Sequence, residues 1–332
     1  MKSVCDKHTS NGDIGFSRPV FSRVFSDEEL ALAGKLTVDL ITWRLNEGNR
    51  VEAKSLVSRF QHELVTMFYS YTGWEKSILG SISELAGQPA SDAALSTIEN
   101  YEIAPERRIE TRGVGKQWIE DIEKIQSLID SGADKQASER VHRLRKQALE
   151  LHDGMMSRVS ALLSILYNDH GDKELLRVLN IVMKPEAMDP NEKIPFREKV
   201  QNIMHFTRCH LLPFNVTEDA EKVTFMPDPC PSGARLIRQG HYEEPRSDAI
   251  VRDRGPLTYG RNNLPVYCCH EPAMELSSVL KTGIPVFIIE PPSDVGISPC
   301  KIYVYKNPAD IPELYYQRLG LSKPDDLIAS SS

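Results

Sequence analysis

Apolar residues recur at three- and four-residue steps through much of the first 210 positions, which is the spacing of one face of an α-helix. The clearest apolar stripe runs from Phe60 to Leu85, and a second runs from Val141 to Leu166. Gly87 follows the first stripe and Gly171 follows the second, so each long helix has a residue that can end it. The pattern predicts a helical, bundle-like region with short connections.

Shorter helices are predicted around the two long ones. Ser26-Asp27-Glu28-Glu29 has the form of a capping box, in which Ser26 and Glu29 cap the first turn of a helix reaching about Asn46. Apolar spacing predicts the remaining helices over Ser91–Glu102, Val114–Ile129, Lys173–Met183 and Phe196–Cys209.

The composition of the chain changes after Cys209, where prolines and glycines interrupt the periodic spacing of apolar residues. Regular structure returns with a short apolar run at Pro265–Cys269, which predicts a buried strand, and with a helix from Pro272 to about Leu280. Two more strands are expected over Pro285–Glu290 and Lys301–Lys306. The fold class is therefore mixed α+β, with a mainly α-helical N-terminal domain followed by a smaller α/β domain that has Pro/Gly-rich loops.

These changes give four segments along the 332 residues. We expect a flexible arm over residues 1–20, a helical domain over 21–210, a Cys/His-containing α/β domain over 211–325, and a flexible tail over 326–332.

Composition and charge exclude several classes of protein. A formal net charge of −7 disfavours a general nucleic-acid binder, which needs a basic face. The N-terminus lacks the apolar region of a secretory signal, and no stretch approaches the roughly 18 apolar residues that cross a bilayer. The sequence therefore predicts a cytoplasmic protein with no membrane partner, and it leaves the oligomeric state open.

Cysteines are concentrated in the C-terminal part of the chain, where five of the six fall within the last 124 residues. Cytoplasmic thiols are mostly reduced, which favours metal binding or reactivity over disulfides. A strand–helix–strand crossover would bring Cys268 or Cys269, His270 and Glu290 to the same edge of a sheet. Cys300 would begin the next strand at that edge.

A fourth ligand can come from Cys230, which lies between two prolines on a stiff turn. Zinc prefers four thiolate and imidazole ligands, and Cys230, Cys268, His270 and Cys300 supply such a set. Cys269 is a substitute for Cys268 or His270, and iron can use the same thiolates.

Two alternatives for the cysteines stay open. Free cysteines are often buried as small apolar residues with no further role. Cys269 can instead be a nucleophile, because it directly precedes a predicted helix whose N-terminus stabilises a thiolate. The sequence does not select a partner base among His205, His210 and His241.

Other residues suggest how a substrate would be handled. Glu271 and Glu290 are candidate general bases near a metal. Arg235 and Arg261, with Tyr267, can bind an anionic small molecule through bidentate contacts and stacking.

The sequence contains no GxGxxG, Walker A, HExxH or GxSxG motif. His142 and His152 do not share a helical face and are interpreted as boundary or surface residues. The function predicted from these residues is a metal-dependent enzyme, a hydrolase or lyase, that acts on a small and anionic substrate. The alternative is a non-enzymatic interaction protein in which the zinc is structural and the helical half binds a partner protein.

Overall fold

The computed structural model describes residues 23–100, 113–183 and 194–329. The expected arm over residues 1–20 lies outside this part of the chain. The protein is about 65% helical, with a large helical N-terminal part and a smaller C-terminal region that contains a few antiparallel strands. The α+β fold class predicted from the sequence is therefore confirmed.

Within the described part of the chain, seven α-helices form the N-terminal part and four more lie in the C-terminal region. The first seven are α1 (Asp27–Ala33), α2 (Thr37–Asn46), α3 (Arg50–Ala86), α4 (Gln88–Asn100), α5 (Val114–Asp130), α6 (Asp134–Met183) and α7 (Phe196–Arg208). The later four are α8 (Gly233–Arg238), α9 (His270–Thr282), α10 (Glu313–Gln317) and α11 (Asp325–Ala329). The last of these covers the beginning of the segment expected to form the tail.

The capping box at α1 is present as predicted, since Ser26 Oγ accepts from the Glu29 amide at 3.1 Å and the Ser26 amide donates to the Glu29 carboxylate at 2.8 Å. The first helix ends before Gly34, however, so the single helix expected up to Asn46 is two helices, α1 and α2. A Cβ atom at Gly34 would lie only 1.6 Å from the carbonyl oxygen of Phe214. The close approach of these two backbones therefore requires glycine at this point.

The two apolar stripes form α3 and α6, which pack against each other along the bundle. Gly171 leaves the helical conformation, with φ 74° and ψ −173°, but helix continues on both sides of it. The second stripe therefore ends at Gly171 as predicted, and α6 consists of two helices that meet there, because glycine adopts a positive φ without steric cost.

Short strands form two antiparallel sheets in the C-terminal region. The strands are β1 (Asn215–Glu218), β2 (Lys222–Met226), β3 (Ile250–Val251), β4 (Leu264–Pro265), β5 (Ile288–Glu290) and β6 (Lys301–Tyr305). The larger sheet has the order β1-β2-β6-β5, and β3 pairs separately with β4.

The predicted parallel crossover is wrong. Val266–Cys269 form a 3₁₀ turn that leads directly into α9, and the strand before them pairs in the small sheet rather than with β5. Periodicity cannot separate a buried strand of a few residues from the buried start of a helix, and here the apolar run is the start of a helix.

One apolar core joins the helical part to the C-terminal region. Leu162 and Leu166 of α6 belong to the same buried cluster as Val266, Tyr267 and Ala273. The start of α9 is therefore held against the middle of the bundle. No helix in the described part of the chain is long and apolar enough to cross a membrane.

A buried carboxylate lies where α2 meets α3. Glu63 is 2% exposed, accepts a hydrogen bond of 2.7 Å from the Thr37 hydroxyl, and lies 3.9 Å from the Arg59 guanidinium. Burial raises the pKa of Glu63 to about 7, against the opposing effects of Thr37 and Arg59.

We expect Glu63 to make the protein less stable as the pH rises. A folded-state pKa above the unfolded value of 4.5 means that the folded protein binds the proton more tightly, so this contribution is full below pH 4.5 and is lost through about pH 7. Each pKa unit is worth about 1.4 kcal/mol, so the free energy of unfolding should fall by on the order of 3 kcal/mol. Urea unfolding between pH 4.5 and 7.5 measures this decline.

The variant Glu63→Gln should lack that part of the pH dependence, because glutamine does not ionise. The matched control is Glu120→Gln on the exposed face of α5, which should keep the wild-type decline. Parallel pH profiles for wild type and Glu63→Gln would contradict the raised pKa.

Candidate functional site

A cavity of about 790 Å³ lies between the helical bundle and the C-terminal loops. One side is formed by α3 and by the ends of α6 and α7, and the other by the start of α9 and the segments before α8 and β6. Most of its wall is apolar. The larger apolar side chains are Met67, Trp74, Ile181, Met183, Phe206, Met274, Phe287, Ile289, Val295 and Ile302.

All four predicted metal ligands line this cavity, namely Cys230, Cys268, His270 and Cys300. Cys230 is on the turn before α8, and Cys268 is in the 3₁₀ turn before α9. His270 begins α9, and Cys300 directly precedes β6. The antiparallel sheet and the loops bring these segments together, rather than the parallel crossover that the sequence suggested.

The thiols of Cys230 and Cys300 influence each other's ionisation. The interaction with the Cys300 thiol is the main reason why the pKa of Cys230 is lowered to about 6. Burial opposes the shift, while the Ser232 and Ala234 amides add to it. The same interaction, together with burial, raises the pKa of the Cys300 thiol. The two thiols therefore titrate as a pair.

Cys268 also lies against the start of α8. A Cβ atom at Gly233 would lie 2.2 Å from the Cys268 sulfur, so this contact requires glycine at position 233. Burial is the largest cause of the raised pKa of Cys268, and the nearby thiols of Cys230 and Cys269 act in the same direction. Cys230, Cys268 and Cys300 thus form one electrostatically coupled group, and Cys209 lines the cavity as a fourth cysteine.

Both ring nitrogens of His270 already have partners. Nδ1 lies 2.6 Å from the Tyr267 carbonyl oxygen, and Nε2 lies 3.1 Å from Oε1 of Glu271. Burial lowers the pKa of His270, but the charge of Glu271 and the hydrogen bonds to both oxygens outweigh it, so the pKa is raised overall. The imidazole is therefore oriented as a donor to protein oxygens, and Glu271 is the predicted carboxylate that lines the cavity.

Cys269 and Glu290 do not line the cavity. Cys269 is fully buried, its thiol faces the Pro265 carbonyl at 3.7 Å, and burial raises its pKa above the usual range. Glu290 is exposed at the end of β5 and accepts a hydrogen bond of 3.1 Å from the Tyr315 hydroxyl. Cys269 is therefore packed in the core, and Glu290 is a carboxylate at the protein surface.

The two predicted substrate-binding arginines also lie outside the cavity lining. Arg235 forms an ion pair with Asp153 of α6. Arg261 donates to the carbonyl oxygens of Pro292 and Pro291 at 2.6 and 2.8 Å. Both guanidinium groups thus bind protein atoms. Tyr267 does line the cavity, with its hydroxyl 3.1 Å from that of Tyr71.

A histidine pair lies at the cavity wall, and one of its members was not expected there. His210 lines the cavity, and its Nδ1 lies 3.0 Å from Nε2 of His152. The interpretation of His152 as a boundary or surface residue is wrong, because it is 0% exposed. A helical wheel with one buried face does not predict this burial, because α6 is packed on several sides. The adjacent residues Leu151 and His152 are both buried. His210 is one of the three candidate bases named from the sequence, and it directly follows Cys209.

No protein-family model, curated protein sequence or solved structure matches this chain. Within residues 23–100, 113–183 and 194–329, no group of three or more His, Cys, Asp or Glu side chains has the spacing of a ready metal site. A metal held by the cavity thiols would therefore require side-chain rotation. The function has to be inferred from the chemistry of the cavity.

We expect Gly233→Ala to destabilise the protein by displacing the Cys268 sulfur. Overpacking of this kind costs about 1–3 kcal/mol, and the lower end applies because a cysteine side chain can rotate away. Urea unfolding at constant pH measures the change.

Gly115→Ala is the matched control, because Gly115 lies in α5 and has open space around its Cβ position. That variant should be neutral or slightly more stable, since alanine favours helix by up to about 1 kcal/mol. Equal stability of the two variants would show that Cys268 does not occupy the position beside Gly233.

Proposed function

We propose that this chain is a zinc-dependent enzyme that acts on a small molecule bound in the cavity between the bundle and the C-terminal loops. The observation that carries the proposal is the meeting of Cys230, Cys268 and Cys300 at one cavity, although they come from three separate segments. Thiols that only fill space have no need to line an open cavity of this size. Thiolate sulfur is among the preferred ligands of zinc, and iron is the second candidate.

Three cysteines are the ligand set that we favour. The ring nitrogens of His270 are committed to Tyr267 and Glu271, which leaves this histidine as a neighbour rather than a ligand. Catalytic zinc sites use three protein ligands and keep the fourth position for water or substrate. A three-cysteine site at the cavity wall would have that property, and the bound zinc would polarise a substrate or a water molecule there.

Glu271 is the proposed general base. Of the two candidate bases, Glu271 and Glu290, only Glu271 lines the cavity. Its Oε1 lies 3.1 Å from Nε2 of His270. A carboxylate so placed can accept a proton at the cavity surface, provided the substrate binds within hydrogen-bond distance of it. The contact with the His270 ring orients the carboxylate.

The substrate that the cavity favours is largely apolar rather than anionic. Arg235 and Arg261 bind Asp153 and backbone carbonyls, so the groups expected to attract an anion are not directed at the cavity. Side chains such as Trp74 and Phe287 form its wall. A pocket of several hundred Å³ with apolar walls and a few polar groups is typical of small-molecule sites.

The zinc content of the protein tests the proposal. Protein purified without a metal-binding tag should contain about one zinc per chain by mass spectrometry, because three thiolates bind zinc tightly at neutral pH. Cys230→Ser, Cys268→Ser and Cys300→Ser should each lose most of it.

Two controls separate loss of a ligand from loss of fold. Cys269→Ser removes a buried cysteine outside the cavity, and His270→Asn removes the proposed non-ligand, so both should keep the metal if they remain folded by circular dichroism. Wild-type protein that is folded, contains no metal and takes up neither zinc nor iron would overturn the proposal. Loss of zinc in His270→Asn would overturn the three-cysteine set.

A further inference from the structure

A chain of polar side chains runs from α8 through α6 to the cavity wall. Arg235 is paired with one oxygen of Asp153, and the other oxygen lies 3.2 Å from Nδ1 of His152. Nε2 of His152 lies 3.0 Å from Nδ1 of His210, and His210 lines the cavity. The four residues connect α8, α6 and the end of α7, so their positions are fixed by the packing of three elements.

The protonation of this chain follows from its partners. The Asp153 carboxylate pairs with Arg235 and can only accept, so Nδ1 of His152 carries a proton. His152 is completely buried beside an Asp153–Arg235 pair whose charges already balance, and a further buried charge there would have no counterion. Its Nε2 is then an acceptor.

The second histidine is oriented by the first. With a lone pair on Nε2 of His152, the hydrogen bond of 3.0 Å requires the proton to sit on Nδ1 of His210. The Tyr71 hydroxyl lies 3.3 Å from the same His152 nitrogen and can also donate to it. This does not change the assignment, because two unprotonated nitrogens 3.0 Å apart would repel each other. Burial lowers the pKa of His210 to about 3, which keeps its ring neutral. Nε2 of His210 therefore carries a lone pair.

That nitrogen has no hydrogen-bond partner within the described part of the chain, and the residue opens onto a mainly apolar cavity. An acceptor in such a wall discriminates strongly between ligands. A ligand with a hydroxyl or amine donor satisfies it, whereas an apolar isostere leaves it unpaired and desolvated.

We propose that His210 is the specificity-determining group of the cavity, and that its Nε2 accepts a hydrogen bond from a hydroxyl or amine group on an otherwise apolar small molecule. His152 and Asp153 are positioning residues that fix the tautomer of His210. The inference rests on the proposed function only in using the cavity as a small-molecule site, and it does not depend on zinc.

Nitrogen-15 NMR of the full-length protein, labelled at histidine, tests the tautomer at pH 7. Nε2 of His210 should have the chemical shift of an unprotonated ring nitrogen, with assignment by its loss in His210→Phe. Asp153→Asn should change the tautomer or make it heterogeneous, because an amide can donate to His152 as well as accept. Glu150→Gln, exposed on the same helix, should leave the signals unchanged. A protonated Nε2 in wild type would overturn the inference.

The ligand preference is measured with p-cresol and p-xylene, a pair that differs by a hydroxyl in place of a methyl group. p-Cresol should bind about fivefold more tightly and should shift the Nε2 signal, as expected for one added hydrogen bond to a neutral acceptor. In folded His210→Phe protein the two compounds should bind with affinities within about twofold of each other.

The outcomes separate the two proposals. Equal binding of the two compounds to wild type, or failure of both to perturb the cavity signals, would overturn the role of His210 whatever the zinc content. A protein without metal that nevertheless prefers p-cresol through His210 would keep this inference and reject the zinc enzyme. The same titration on Cys300→Ser protein checks that the preference is independent of the thiols.

Discussion

The burial of the start of α9 against the middle of α6 is the contact on which the rest of the site depends. Val266, Tyr267 and Ala273 enter the same apolar core as Leu162 and Leu166, which fixes the 3₁₀ turn that carries Cys268 and the first turn that carries His270. Complete burial of a side chain of this size stabilises by about 1.5–3 kcal/mol, so several together can hold loop-rich segments in place. The cavity is the space left where the core ends and the polar segments begin.

Polar groups in this region are arranged so that most satisfy one another. Arg235 binds Asp153, Arg261 binds two carbonyl oxygens, and His270 binds Tyr267 and Glu271. Buried polar groups need such partners, because an unpaired one costs about 1–3 kcal/mol. The thiols of Cys230, Cys268 and Cys300 line the cavity with Glu271 and His210, beside Cys209, Lys76, Glu84 and several hydroxyl groups. The cysteine sulfurs, the Glu271 carboxylate and the His210 ring thus add metal-binding and proton-accepting atoms to a mainly apolar pocket.

The two proposals use different parts of the same wall. The thiols lie on the loops that precede α8, α9 and β6, whereas His210 follows α7 and is oriented from within the bundle. A ligand in the cavity would contact both sides, with its apolar body against residues such as Trp74 and Phe287. Placing a hydrogen-bond acceptor on the rigid bundle and the thiols on the loops would fix the ligand before any chemistry at the sulfur atoms.

The sequence by itself determined the helices, the α+β class and the region in which the cysteines gather, because helical periodicity, capping and composition are local properties. It could not determine that Pro265–Cys269 start a helix, that Cys269 turns inward while Cys268 faces the cavity, or that Arg235 is neutralised by Asp153. Those outcomes depend on contacts between residues far apart in the chain, such as the 58 positions between His152 and His210. Tertiary packing decided them, because burial on several sides and the need to pair every buried charge override the preference of any short segment.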